Sequence, residues 1–216
     1  MIRKNMINKE TDGSFMIKNI VFDVGMVLVD FKWRQVMADV GCTEEEIETI
    51  AAVMVNSPFW NELDRGVMDE EDVISQMIDK LPGLEDKARA FWENIHLTIE
   101  SFPYSKDWVK GLKDDGYNTY LLTNYPRSLW RNTAEQYFTF LPYVDGVLVS
   151  SHEKMTKPDP EIYERLLEKF DLKAEETVFI DDRLANVEGA ESVGIKGINF
   201  TNFEEVSAKL NEIIGR

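Results

Sequence analysis

"NIVFDVGMVLVDF" (residues 19–31) decides how the rest of the chain is read. An apolar run, Ile20 to Phe22, delivers one carboxylate, Asp23, into a Val-Gly-Met-Val turn. A short apolar run closed by a turn reads as a buried strand. A buried strand that ends on an unpaired Asp ends at a working site, because desolvating a carboxylate needs a cation, a partner or a reaction to offset it. Gly25 stands two residues later, where a second acid would serve chemistry at Asp23.

Similar runs recur along the chain. "IKNIVFDV" (17–24), "YNTYLLT" (117–123), "DGVLVS" (145–150), "TVFID" (177–181) and "IKGINF" (195–200) read as strands, most of them apolar on both faces. That pattern belongs to a parallel sheet covered on both sides. Helical patterns separate the later strands. "SKDWVKGLKDDG" puts Trp108, Val109 and Leu112 on one face and stops at Gly116. "PEIYERLLEKF" carries Ile162, Leu166, Leu167 and Phe170, and "NVEGAESVG" stops at Gly194. Alternating strands and helices predict an α/β fold, a doubly wound parallel sheet.

The first crossover breaks the rule. It spans roughly 90 residues, where a βαβ crossover needs about 12 or a little more. "TEEEIETIAAVMV" opens with Thr43 and Glu46 at capping-box spacing and faces Ile47, Ile50, Ala51 and Met54 inward. "DEEDVISQMIDKL" groups Val73, Ile74, Met77, Ile78 and Leu81. "DKARAFWENIHLTI" groups Ala88, Phe91, Trp92, Ile95 and Ile99 as a third helix. The predicted division is a polar N-terminal extension over 1–16, an α/β core over 17–32 and 99–216, and an inserted helical cap over 33–98.

Composition narrows the partners. Acidic residues outnumber basic ones 40 to 24, a net charge of −16, which disfavours nucleic-acid backbones and anionic membranes. A small anionic substrate stays compatible, since it responds to the field of its own pocket. The one cysteine, Cys42, reads as a small hydrophobe, and without a second it forms no intrachain disulfide. The opening "MIRKNMINKETDGSF" lacks the apolar stretch of a secretory signal, and no run is long enough to span a membrane. The expectation is a cytoplasmic protein.

Four polar features fall at or just beyond strand ends, where open α/β sheets bind ligands. They are Asp23; Thr123-Asn124 in "YLLTNYP"; Lys157 in "MTKPDPEIYE"; and Asp181-Asp182 in "VFIDDRLAN". Three carboxylates converging on one pocket repel unless a divalent cation lies among them, and oxygen-only ligands favour magnesium. The side chains of Thr123 and Asn124 donate hydrogen bonds to an anion, and Lys157 offsets its charge. A carboxylate nucleophile in such surroundings suits phosphoryl transfer.

In their order these motifs, with the helical insertion after the first, resemble the haloacid dehalogenase (HAD)-like hydrolase superfamily. "FDVGMVLVD" and "VFIDDRLANVEGA" further resemble its branch that includes alpha-D-glucose-1-phosphate phosphatase. The resemblance implies that Asp23 becomes an aspartyl-phosphate and also binds Mg²⁺. It implies Asp182 as the principal second carboxylate ligand with Asp181 beside it, and the Gly25 carbonyl as a further ligand. Thr123, Asn124 and Lys157 would hold the phosphoryl group of a small phosphorylated metabolite, with a sugar phosphate among the candidates.

Gly25 departs from that pattern. Most phosphatases of the superfamily carry there the Asp that protonates the leaving oxygen, a function worth about 10²–10⁴ in rate. The departure leaves three readings: a leaving group that needs little protonation, a substitute acid such as Asp30, or slow turnover. It also admits a dehalogenase, or a phospho-ligand-binding regulator that turns over poorly. Among weaker candidates, Asp64-Arg65-Gly66 reads as a turn between helices, with Arg65 either solvated or meeting a second anion. Arg127 reads as pocket lining or helix start, and Asn186 as a support of the metal site or a helix cap. Phe59, Trp60, Phe91 and Trp92 read as core, with one or two available to close over a substrate. His96 and His152 lack clustered partners and receive no role.

Overall fold

The computed structural model describes residues 16–216, so nearly all of the expected N-terminal extension lies outside the described residues. Strand β1 (Asn19–Phe22) leads to β2 (Val29–Phe31) and five helices, α1 (Trp33–Asp39), α2 (Glu44–Met54), α3 (Pro58–Arg65), α4 (Glu70–Ile78) and α5 (Glu85–Glu93). The chain returns through β3 (Ile99–Ser101). It continues as α6 (Ser105–Asp114), β4 (Asn118–Thr123), α7 (Arg127–Tyr137), β5 (Gly146–Val149), α8 (Ser150–Glu153) and α9 (Pro160–Phe170). β6 (Thr177–Asp181), α10 (Leu184–Ser192), β7 (Lys196–Asn199) and α11 (Phe203–Ile214) complete it.

The five strands expected from sequence form one parallel sheet in the order β5-β4-β1-β6-β7. β1 is central and entirely buried, as its unbroken apolar run requires. Ile20 and Phe22 pack on one face of the sheet with Trp108, Val109 and Leu112, while Val21 packs on the other with Ile162, Tyr163 and Leu166. Phe22 pairs with Leu121 on one side and Ile180 on the other. That register carries Asp23, Thr123 and Asp181 to the same edge of the sheet. The strand order reverses at β1, so this edge is the crevice where such sheets hold ligands.

The long crossover leaves and re-enters this edge through β2 and β3, an antiparallel pair that matches Phe31 with Ile99. Here the third helical expectation needs correcting. α5 stops at Glu93, a short 3-10 turn covers Ile95–Thr98, and Ile99 begins a strand. Ile99 is buried in that pairing; an apolar residue satisfies a helical or a strand period equally well, so the pattern alone did not separate them. The Thr43–Glu46 capping box forms with both of its hydrogen bonds. Apolar contact runs on from one sheet face into helices α1–α5, through Ile50, Met54, Leu63, Met77 and Phe91. No helix of the described residues is long and apolar enough to cross a membrane.

Candidate active site

Asp23 follows the last residue of β1, and its main-chain N–H donates to Ile180 O on β6. Its Oδ1 accepts from the Val24 N–H at 2.7 Å and pairs with Lys157 Nζ at 2.8 Å. Oδ2 accepts nothing from the described residues. The Lys157 ammonium is buried and makes three contacts, to Asp23, to Asp181 Oδ2 at 2.6 Å and to Leu122 O at 3.0 Å. Those three acceptors account for its three N–H groups. Burial opposes the charge on Lys157, but Asp23 and Asp181 outweigh it and hold the ammonium above its ordinary range. Burial likewise dominates at Asp23 and pushes it up to about 7; Lys157 pulls it down and Asp181 adds to the rise.

Asp181 ends β6 and is wholly buried. Its Oδ1 accepts from the Arg183 N–H and Asn186 Nδ2, at 2.8 and 2.9 Å, and Oδ2 accepts from Lys157 and again from Asn186. Both oxygens are therefore engaged by protein. Asp182, half-buried, faces the cavity instead. Burial first, and Asp181 next, raises its carboxyl above the usual range. One carboxylate oxygen from each of Asp23, Asp181 and Asp182 lies within 4.8 Å of the others. Three carboxylates against one ammonium leave excess negative charge, and an all-oxygen donor set fits a hard divalent cation such as magnesium.

Thr123 closes β4 with its Oγ1 buried and without a partner among the described residues. That orphan hydroxyl fits a ligand acceptor, since a buried polar atom without one is costly. Asn124 lines the cavity and also ties down the neighbouring lysine. Its Nδ2 donates to Lys157 O and its Oδ1 accepts from the Lys157 N–H, both at 2.9 Å. The Asn124 amide thus positions the lysine with one N–H and its oxygen, and its second N–H is not engaged by the described residues.

These residues open onto a cavity of about 620 Å³. Asp23, Gly25, Asn124, Lys157, Asp182 and Asn186 line its core side, and Phe31, Val55, Trp60, Ile99 and Leu129 give it a largely apolar wall. Gly25 lies in a tight turn where Leu28 and Val29 both donate to Val24 O. Met26, not Gly25, takes the left-handed backbone there, and a Cβ on Gly25 would meet nothing within 4 Å. Nothing in the backbone or the packing calls for glycine at that position.

Asp64 is what the sequence reading misplaced. It belongs to the last turn of α3, is only 6% exposed, and lines the cavity. Pro58 at the first helical position and a left-handed Gly66 at the C-cap delimit α3. This Pro-start, Gly-stop signature was present in the sequence and would have placed Asp64 inside a helix. Asp64 Oδ1 has no partner among the described residues, and burial pushes its carboxyl up to about 8.

The weaker candidates separate. Asp30 sits on β2 with Oδ1 accepting from the Phe31 N–H and does not line the cavity. Arg65 pairs with Asp159 at 3.5 Å, and Arg127 donates to Ser151 O. Asn186 donates to Asp181, and its Oδ1 has no partner among the described residues. Trp60 alone of the four aromatics reaches the cavity. Cys42, His96 and His152 lie away from it.

Comparison with known proteins agrees with this geometry. The family model described as haloacid dehalogenase-like hydrolase matches residues 17–194. The chain is 30% identical to a sesquiterpene phosphatase of Aspergillus oryzae over 200 residues, covering 92% of this chain and 97% of that one. It is 26% identical to a D-ribitol-5-phosphate phosphatase of Bacteroides thetaiotaomicron, covering 92% and 99%. A magnesium complex of a HAD family enzyme from the same bacterium superposes with a TM-score of 0.71 at 22% identity, covering 91% and 99%.

Proposed function

The chain belongs to the haloacid dehalogenase-like hydrolases, and from that premise we propose that it is a Mg²⁺-dependent phosphomonoesterase that works through a phosphorylated Asp23. The observation that carries this reading is the meeting of Asp23, Lys157 and Asp182 at one cavity, with the orphan hydroxyl of Thr123 ending the adjacent strand. Asp23 Oδ2 attacks phosphorus and the bond to the leaving oxygen breaks. Water then attacks the phosphorylated Asp23, releasing phosphate and restoring the carboxylate. Thr123 Oγ1 donates to the transferred group, and Lys157, clamped through its main chain by Asn124, balances the charge beside Asp23. Asp23, the Gly25 carbonyl and Asp182 would hold Mg²⁺, with Asp181 steadying Lys157 behind them. The ion supplies neutralisation of the phosphoryl charge. The segment of helices α1–α5 acts as the cap and gives Val55 and Trp60 to an apolar wall that Phe31, Ile99 and Leu129 complete.

Phe31, Val55, Trp60, Ile99 and Leu129 favour a substrate with an apolar body, in keeping with the sesquiterpene named for the Aspergillus relative. A sugar phosphate is the second reading, carried by Asn56, Ser57 and Asn61 on the same lining. A dehalogenase activates its aspartate without metal and leaves Asp182 unused, and a regulator that only binds has no need of a free Oδ2 on Asp23. The test is a panel of prenyl, aryl, alkyl and sugar phosphates with Mg²⁺. Phosphate release is expected to vanish in Asp23→Asn and with EDTA, and to favour apolar esters. Activity that survives either treatment overturns the reading.

A further inference from the structure

We propose that Asp64, delivered by helix α3, is the general acid and base that Gly25 does not supply. This rests on the phosphatase reading above. Among the described residues, the cavity is lined by three carboxyl groups, Asp23, Asp64 and Asp182. Asp23 and Asp182 belong to the nucleophile and cation set, which leaves Asp64. Among the described residues, no histidine, glutamate or cysteine lines the cavity, and its two cations are Lys157 and Arg183.

The surroundings of Asp64 suit a proton carrier. It is buried, and Oδ1 finds no donor among the described residues. A carboxylate so placed is costly, and protonation removes the cost. Burial is the chief influence on its proton affinity; Lys157 and Arg183 oppose the rise, and Asp23 adds to it. The resulting value near 8 keeps the proton at neutral pH yet close enough to release it.

Its position is also rigidly set. Ser150 Oγ, at the start of α8 directly after β5, donates to Asp64 O at 2.6 Å and accepts from the Tyr125 N–H at 2.9 Å. Gly66 lies so close to Ser151 that a Cβ there would fall 2.6 Å from Ser151 O. At the start of α4, Glu70 accepts from the Ser128 N–H at 3.2 Å. The end of α3 is therefore fastened to the sheet edge that bears Asp23, rather than riding on a free lid. As Asp23 bonds to phosphorus, the electron pair of the breaking P–O bond passes to the leaving oxygen, which takes the Asp64 proton. In the second half, Asp64 carboxylate takes a proton from the water that attacks phosphorus, and the P–O bond to Asp23 breaks.

The experiment compares kcat/KM for n-hexyl phosphate, a poor leaving group, with p-nitrophenyl phosphate, which leaves without a proton. Asp64→Asn should lose about 10²–10³ on the hexyl ester and at most a few-fold on the nitrophenyl ester. Retained nitrophenyl kcat/KM, which reports phosphorylation of Asp23 and not the later attack of water, shows that the variant is folded. Adding Gly25→Asp, for which the turn has room, should restore at least about tenfold on the hexyl ester. Equal loss on both esters, no loss on either, or no rescue overturns the role of Asp64. A wild-type enzyme that hydrolyses neither ester with Mg²⁺ overturns the phosphatase reading itself.

Discussion

Lys157 and Asp64 answer the same electrostatic problem at residue scale in opposite ways. Lys157 stays charged because each N–H finds an oxygen, and removing it would leave Asp23 and Asp181 facing each other in a dry interior. Asp64 stays neutral because no such partner is offered to Oδ1. Its carboxyl titrates near 8 in the folded chain against an ordinary value of 3.8. Between those pH values the native state holds a proton that the unfolded state has lost, so this group's contribution to stability declines as pH rises from about 4 to 8. Asp64→Asn removes the decline. Its melting temperature relative to wild type should rise from pH 5 to pH 8 by roughly 2–4 °C or more, corresponding to about 1 kcal/mol. A flat or falling difference in a thermal melt would show that Asp64 is not held protonated.

At the scale of elements, legibility followed period and punctuation. β1 was readable because Ile20 to Phe22 are apolar on both faces, and α2 because Thr43 and Glu46 announce its start. β3 was not, since Ile99 suits either period and only pairing with Phe31 makes it a strand. α3 was passed over as a turn although Pro58 and Gly66 bracket it. That bracket matters because Gly66, with φ of +64°, both ends the helix and lets it approach Ser151. Gly66→Ala combines a left-handed alanine, worth about 1–2 kcal/mol, with a backbone clash. Chemical denaturation should register a loss of about 2 kcal/mol or more. A loss under about 0.5 kcal/mol would mean that α3 is not pinned where it is drawn.

For the molecule as a whole, the net charge of −16 opposes a phosphorylated substrate at long range, and the proposed Mg²⁺ with Lys157 and Arg183 would offset that repulsion inside the cavity. Screening lengths fall from about 30 Å at 0.01 M salt to about 8 Å at 0.15 M. Raising salt over that range at fixed free Mg²⁺ should therefore increase kcat/KM for a dianionic ester about twofold or more. A steady decrease would indicate that a local positive field governs capture instead. The sequence by itself determined the parallel α/β core, the run of helices in the first crossover and the motifs at strand ends. Strand positions and strand ends follow from apolar runs and their punctuation, whereas the order of strands in the sheet came from the structure. Only the tertiary structure decided which carboxylates face the cavity. It turned Asp181 inward onto Lys157 and Asn186, tied the Asn124 side chain to the Lys157 main chain, and brought Asp64 from a helix about 40 residues downstream to the cavity that Gly25 also lines. Burial and partner geometry are properties of the folded packing, and they, rather than residue type, set whether an aspartate is a nucleophile, a brace or an acid.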